Sequence, residues 1–113
     1  SPELEVANNV AEQLTNPGVK MCIELPDNYE IIEVEAPSKT VGRTLEDIGL
    51  RKKYNLNMVT VLKKTLKDEE SEEDKYVHHI FGVPSPDSVI GEGDMLVLFG
   101  LNIDVNRFIE INA

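Results

Sequence analysis

The 113-residue chain has one cysteine, no tryptophan and no long apolar run. A single Cys22 cannot form an internal disulfide and has no metal-ligand spacing around it, so we expect it to be packed in the interior of an intracellular protein. No stretch of about 18 apolar residues is present, which predicts no membrane-spanning helix, and nothing resembles a secretory leader. At 41% hydrophobic residues the sequence predicts one soluble domain with a modest core.

Basic residues are also scarce, at 11 lysines and arginines against 21 acidic residues, for a formal net charge of −10. Nucleic-acid binding depends on cations that neutralise phosphates, so it is not expected. The charges are unevenly placed, however. Six acidic residues lie between Asp68 and Asp74, while seven basic residues lie between Arg43 and Lys67, which predicts a basic patch on an acidic protein.

Motifs that carry chemistry are missing as well. There is no Ser-His-Asp pattern and no glycine-rich phosphate loop between a strand and a helix, because Gly91-Glu92-Gly93 precedes a predicted strand. The adjacent His78 and His79 would point to opposite faces of a strand, and the acidic run at 68–74 lacks the glycine of an EF-hand. We therefore expect no enzyme and no catalytic residue, and a metal or calcium sensor is only the third alternative.

The most informative stretch is Val41 to Lys64. Thr44 and Asp47 have the spacing of a capping box, which predicts a helix start, and Gly49 should end or weaken that helix. Cations at 51–53 suit a helix carboxyl end. The Asn-Leu-Asn turn at 55–57 should then lead into a strand at 58–62.

The rest of the chain predicts an α+β fold, with a small mixed or antiparallel sheet of about five strands, a short helix after the first confident strand, and helices at both termini. Residues 1–16 show an amphipathic helical pattern, and 19–25 fit either a strand or a helical turn. Further predicted elements are strands at 29–35, 76–81, 88–90 and 95–99, a solvated acidic loop at 67–75, a proline bend at 82–87 and a last helix capped by Asn102.

An ordered set of short motifs gives the chain a family resemblance. These are Glu35-Ala36-Pro37, Val41-Gly42-Arg43-Thr44-Leu45, Gly49-Leu50-Arg51 with Tyr54, and Ile90 through Gly100. Their order and spacing resemble the C-terminal subdomain of RCK proteins, also called the TrkA-C domain, over roughly Tyr29 to Ile109. The resemblance implies that 29–113 form this domain and that 1–28 are a helix and connector from a missing upstream RCK N-terminal subdomain. The opening Ser1-Pro2-Glu3, without an initiator methionine, also suggests a fragment.

The resemblance implies a dimeric, ligand-sensing regulatory domain of a potassium transport system, located in the cytoplasm and joined to the inner membrane through a membrane-embedded transport or pore subunit. One branch of the family binds cyclic di-AMP between paired C-terminal subdomains, while the N-terminal subdomain binds nucleotides such as NAD or ATP. No cofactor is otherwise expected in this fragment. The alternative is a ligand-free module that only assembles RCK subunits.

The positions matched to the ligand site of that branch are Arg51 for phosphate and Asn57 for a base, with Leu45, Met58, Pro84 and Ser85 around them. The residue chemistry agrees, because a guanidinium suits a phosphodiester and an amide suits an adenine edge. Three positions, Gly49, Lys53 and Ser85, depart from that branch. These departures predict weakened binding or a different anion, and Arg51 and Asn57 could alternatively serve only a helix end and a turn.

Overall fold

The computed structural model describes residues 5–6, 18–66 and 76–113. The strands are β1 (Glu5–Val6), β2 (Val19–Glu24), β3 (Tyr29–Glu35), β4 (Asn57–Leu66), β5 (Tyr76–Ile80) and β6 (Met95–Leu101). The helices are α1 (Leu45–Ile48), α2 (Leu50–Tyr54) and α3 (Asn102–Ile111). The predicted α+β class is confirmed, with five strands of at least five residues, a short helical segment after β3 and a C-terminal helix. In the described ranges no helix is long and apolar enough to cross a membrane.

The strands form one sheet in the order β1-β2-β3-β6-β4-β5, and the pairs between neighbours are antiparallel. β6, the last strand in sequence, lies between β3 and β4 and is buried along most of its length. Its pairing with β3 is regular from Tyr29↔Leu101 to Glu35↔Met95. Its pairing with β4 contains an irregularity between Met58 and Thr60, where a bulge bends the strand. The near-continuous apolar sequence of β6 is explained by this central place.

The core lies between one face of the sheet and the helices. Period-two alternation places Ile32 of β3 on the same face as Val34, and these residues pair with Leu98 and Leu96 of β6. Phe108 of α3 is fully buried against this layer and meets Tyr54 of α2 edge to face, with ring centroids 5.2 Å apart. Burying a phenylalanine side chain contributes about 1.5–3 kcal/mol. This packing fixes α2 against α3 and the sheet.

Local signals in the sequence explain α1 and α2. The Thr44 hydroxyl accepts a hydrogen bond from the backbone N–H of Asp47 at 3.1 Å, which confirms the predicted cap. Gly49 then ends α1 in the left-handed conformation, with φ 69°, and Asn55 ends α2 at φ 57°. Two short helical turns with different axes result, so the side chains of 45–54 face two directions.

Four expectations about individual elements need correction or fall outside the described residues. Glu5 and Val6 form a strand that pairs with β2, so the predicted N-terminal helix is wrong at these two positions, and its other residues lie outside the described ranges. Asn102 is the first residue of α3 rather than its cap, since its side chain is turned to Glu30. The segment 88–90 makes only an isolated bridge, Thr44↔Val89. The acidic loop lies outside the described residues.

The ambiguous segment 19–25 is resolved as β2, which joins the sheet through β3. The predicted division of the chain into a helix and connector, 1–28, and a C-terminal domain, 29–113, stays a prediction.

Candidate functional site

A groove of about 440 Å³ lies between the α1–α2 segment, the start of β4 and the proline bend at 84–86. We call it the Arg51 groove. It is lined by Leu45, Glu46, Gly49, Leu50, Arg51, Lys52, Asn57, Met58, Pro84, Ser85 and Pro86. Its volume falls in the range of small-molecule sites, which have apolar walls and a few placed polar groups.

All six candidate site residues named from the sequence line this groove. Leu45, Met58 and Pro84 are half-buried and supply apolar walls, whereas Arg51, Asn57 and Ser85 are exposed at its polar side. Residues up to 40 positions apart thus meet because α1, β4 and the bend share one edge of the fold. Their meeting gives the groove hydrogen-bonding groups on one side and apolar walls on the other.

The proline bend is held against α1 by backbone hydrogen bonds. The N–H of Glu46 donates to the carbonyl oxygen of Pro86 at 3.1 Å, and the N–H of Leu45 donates to that of Ser88 at 3.0 Å. These are N–H groups in the first turn of α1, which have no partner inside the helix. The Ser88 hydroxyl closes the bend by accepting from the N–H of Ser85 at 3.0 Å. The wall formed by Pro84 and Ser85 is therefore fixed relative to the helix that carries Leu45.

The positive charge of the groove comes from Arg51 and Lys52, and Glu46 contributes an opposing negative charge. Arg43 does not add to it, because its guanidinium is paired with Asp47 at 2.7 Å and also donates to the Asp47 carbonyl oxygen. The hydrogen bond and the charge of Arg43 lower the pKa of the Asp47 carboxyl below its ordinary value, against a small opposing effect of burial and with help from Lys53. Arg51 is exposed and lies at the end of α2.

Five lining residues were not among the sequence candidates. Two of them, Glu46 and Lys52, directly follow the candidates Leu45 and Arg51 in the sequence, but helical spacing does not place such neighbours on one face. Gly49 lines the groove for a different reason. Its φ of 69° is the left-handed conformation that links α1 to α2, so a residue with a side chain would strain the backbone here.

A strip of exposed apolar side chains borders the groove. Val59 follows Met58 in β4 and is 45% exposed, and Val83 precedes Pro84 and is 92% exposed. Ile80 and Phe81 continue the strip at 72% and 54% exposure. Backbone and side-chain bonds hold the two segments side by side, since the N–H of Phe81 donates to the carbonyl oxygen of Val61 at 2.8 Å. Exposed apolar side chains on neighbouring segments make this edge a candidate contact surface.

Two curated proteins of Bacillus subtilis (strain 168) are similar in sequence. Ktr system potassium uptake protein C is 27% identical over 107 residues, which is 95% of this chain and 42% of that protein. Ktr system potassium uptake protein A is 28% identical over the same coverage. The chain thus spans less than half the length of either relative. Both are potassium uptake proteins and neither is named for an enzymatic reaction, in agreement with the expectation that this chain is not an enzyme. No family model matches the chain.

Two solved structures share the fold. One is the RCK C domain of the potassium transport protein KtrA in complex with cyclic di-AMP, with a TM-score of 0.52, 24% identity, and coverage of 75% of this chain and 85% of that one. The other is the GsuK RCK domain, with a TM-score of 0.51, 17% identity, and coverage of 75% and 17%. The resemblance found in the sequence is confirmed: the chain has the fold of an RCK C-terminal domain.

Proposed function

We propose that this chain is the ligand-sensing regulatory domain of a potassium transport system and that the Arg51 groove is half of its ligand site. The observation that carries the proposal is the convergence of Arg51, Asn57 and the apolar residues Leu45, Met58 and Pro84 on one groove. Support comes from the potassium uptake proteins that share its sequence and from a similar domain solved with cyclic di-AMP. The domain acts in the cytoplasm and passes its state to a membrane-embedded transport subunit.

The ligand is a purine nucleotide with a phosphodiester, and cyclic di-AMP is the first choice. Arg51 offers a charged donor fork to a phosphate, and Asn57 offers an amide to a base edge. The half-buried walls suit the faces of an adenine ring. Lys52 adds a second cation at the rim, which compensates for Glu46.

The domain works as a twofold dimer. Cyclic di-AMP has two phosphates and two adenines related by a twofold axis, whereas one groove offers one Arg51 and one Asn57. Two copies of the chain would supply two Arg51 and two Asn57 side chains, one of each for every phosphate and adenine. The apolar strip from Val59 to Val83 borders the groove and gives the surface through which a second copy would be held. Ligand and dimer contacts are then adjacent, so binding changes how the two copies pack.

Isothermal titration calorimetry of the dimer with cyclic di-AMP tests the proposal. Arg51→Ala should weaken binding about tenfold or more, because a charge-assisted hydrogen bond contributes roughly 1.5–3 kcal/mol. Lys39→Ala, outside the groove, is the matched control for loss of one positive charge and should bind like the parent.

The same titration with AMP and NAD distinguishes a dinucleotide site from a general purine site. Absence of heat with every purine nucleotide, or unchanged affinity in Arg51→Ala, would contradict the ligand site. A chain that dimerises but binds none of them would instead be the module that only assembles RCK subunits, the alternative favoured by the exposed apolar strip.

A further inference from the structure

A second cavity, of about 710 Å³, lies where the ends of β2 and β6 meet the starts of β3 and α3. We call it the Glu30 cavity. It is lined by Glu24, Leu25, Asn28, Tyr29, Glu30, Leu101, Asn102 and Ile103. It shares no lining residue with the Arg51 groove and contains two carboxylates but no lysine or arginine.

Among the described residues, only one of the two carboxylate oxygens of the buried Glu30 has hydrogen-bond partners. It is 3% exposed, and its Oε1 accepts a hydrogen bond from Asn102 Nδ2 at 3.0 Å and lies 3.6 Å from Cys22 Sγ. Its Oε2 is equally buried and has no hydrogen-bond partner among residues 18–66 and 76–113. Leaving a buried acceptor unpaired is unfavourable, and more so for a charged one.

The neighbouring strand β2 places a second carboxylate, that of Glu24, opposite Glu30. Glu24 is the register partner of Glu30 between β2 and β3, and carboxylates directly opposite each other on antiparallel strands repel. Glu5 is the register partner of Glu24 on the other side, so three acidic positions lie in one row across the sheet. Asn102 contributes its amide N–H to this row but no charge. The Glu24–Glu30 pair therefore places two carboxylates beside the cavity, and none of the described lining residues is a lysine or an arginine.

The other walls indicate what kind of cation fits. Leu25, Tyr29, Leu101 and Ile103 supply the apolar part of the lining, beside the amides of Asn28 and Asn102. Within residues 18–66 and 76–113, no group of three or more His, Cys, Asp or Glu side chains is placed to hold a metal ion. The Oδ1 of Asn102 already accepts from Asn106 Nδ2, at 3.3 Å, so it is not a ready metal ligand. A bare metal ion would leave the apolar walls unused.

We propose that the Glu30 cavity binds an organic cation, an ammonium or guanidinium group on a short alkyl stem. The N–H groups would donate to Glu30 Oε2 and to the exposed Glu24 carboxylate, and the stem would pack against the apolar walls. Oε2 is covered, so binding requires the Glu30 side chain to adopt another rotamer that brings this oxygen to the surface of the cavity.

NMR chemical-shift titration of the folded chain tests this proposal. Agmatine and n-butylammonium should shift the amide signals of residues 24–30 and 101–103 with saturable curves. Tetramethylammonium keeps the charge without N–H donors, and 1-butanol keeps the stem without the charge, so each should bind at least tenfold more weakly. Calcium and potassium chlorides serve as metal probes.

Glu30→Gln is the decisive variant, since it keeps the size and removes the charge. It should weaken n-butylammonium binding at least tenfold, while Glu33→Gln on the opposite face of β3 should leave it unchanged. An unchanged thermal melting midpoint confirms that the variant is folded; if Glu30→Gln fails to fold, Glu24→Gln gives the same test from the exposed carboxylate. Binding that Glu30→Gln and Glu24→Gln do not alter, saturation by metal ions alone, or no saturation by any amine would overturn the proposal.

The same chemistry can come from a small amine or from a lysine side chain of another protein. N-acetyl-lysine amide, compared with n-butylammonium, separates these sources. Tighter binding of the lysine derivative assigns the cavity to a protein partner, and tighter binding of the simple amine assigns it to a metabolite. These titrations do not involve the Arg51 groove, so their outcome is independent of cyclic di-AMP binding.

Discussion

Arg107 of α3 donates a hydrogen bond of 2.6 Å to the carbonyl oxygen of Lys53, the penultimate residue of α2. Its guanidinium also lies over the ring of Tyr54, 5.1 Å from the centroid. One side chain thus holds the carboxyl end of the helix that carries Arg51. The cation is well placed there, because the last carbonyl groups of a helix lack internal partners and carry partial negative charge.

Arg107→Met should lower the free energy of unfolding by about 1 kcal/mol, since it keeps much of the stem and loses the hydrogen bond and the cation–π contact. Urea denaturation followed by circular dichroism measures the change. Glu110→Gln, on an exposed position of the same helix, is the control and should alter stability by less than about 0.5 kcal/mol. A stability equal to that of the parent would mean that Arg107 does not hold α2.

Asp47→Asn should make a pH-dependent difference to stability. Arg43 lowers the pKa of Asp47 in the folded chain, so the carboxylate contributes stability above its ordinary unfolded pKa of about 4. That contribution disappears as the pH falls through the lowered folded value. The melting temperature of the variant should therefore lie slightly below that of the parent at pH 7, and the gap should close at strongly acidic pH.

Glu46→Gln is the control for Asp47→Asn, because it lies in the same turn of α1 but outside the Arg43 pair. A difference in melting temperature between the parent and Asp47→Asn that widens toward acidic pH would contradict the assigned direction of the pKa shift.

Gly100→Ala should destabilise the fold by about 1–3 kcal/mol, in the range typical of overpacking. A Cβ atom at Gly100 would lie 2.5 Å from Leu56 Cδ2, and Leu56 is itself buried in the core. Thermal unfolding measures the loss. Gly18→Ala is the matched control, because its Cβ would meet Glu35 Cβ at an ordinary 3.6 Å. Equal stability of the two variants would show that Leu56 moves aside without cost.

Ile80→Lys should weaken self-association if the apolar strip is the dimer surface. Sedimentation velocity at micromolar concentrations should show the equilibrium shifted toward the monomer. Ile103→Lys is the matched control, since Ile103 is also 72% exposed but lies in the Glu30 cavity. A parent chain that is monomeric at these concentrations, or a dimer unaffected by Ile80→Lys, would remove the strip as the interface.

Local signals predicted the parts of the fold that depend on a few adjacent residues. Thr44 caps α1, Gly49 ends it, and the Asn55 turn leads into β4 because each of these residues has a conformational preference that acts over one turn. The segment 19–25 was ambiguous for the same reason. Its strand conformation is set by pairing with β3, which no local preference reveals.

The sequence predicted which residues line the groove more fully than it predicted how their segments contact each other. The resemblance identified the six candidate residues, but the contact of Glu46 with Pro86 joins positions 40 residues apart and depends on the tertiary fold. The interior place of Glu30 could have been found, because period two puts it on the face of Ile32 and Val34. Asn102 was predicted to cap the last helix, whereas its side chain donates a hydrogen bond to Glu30.

The central place of β6 has a consequence for synthesis on the ribosome. β3 and β4 do not pair with each other. β3 pairs with β2 and β4 pairs with β5, but β6, which lies between β3 and β4, becomes available only when residues 95–101 have left the exit tunnel. Until then two hydrophobic strand edges stay open, and such edges are prone to pair with other chains. The nascent domain therefore has to complete its sheet in one late step, and a translation pause before Met95 would prolong its exposure to aggregation and to chaperones.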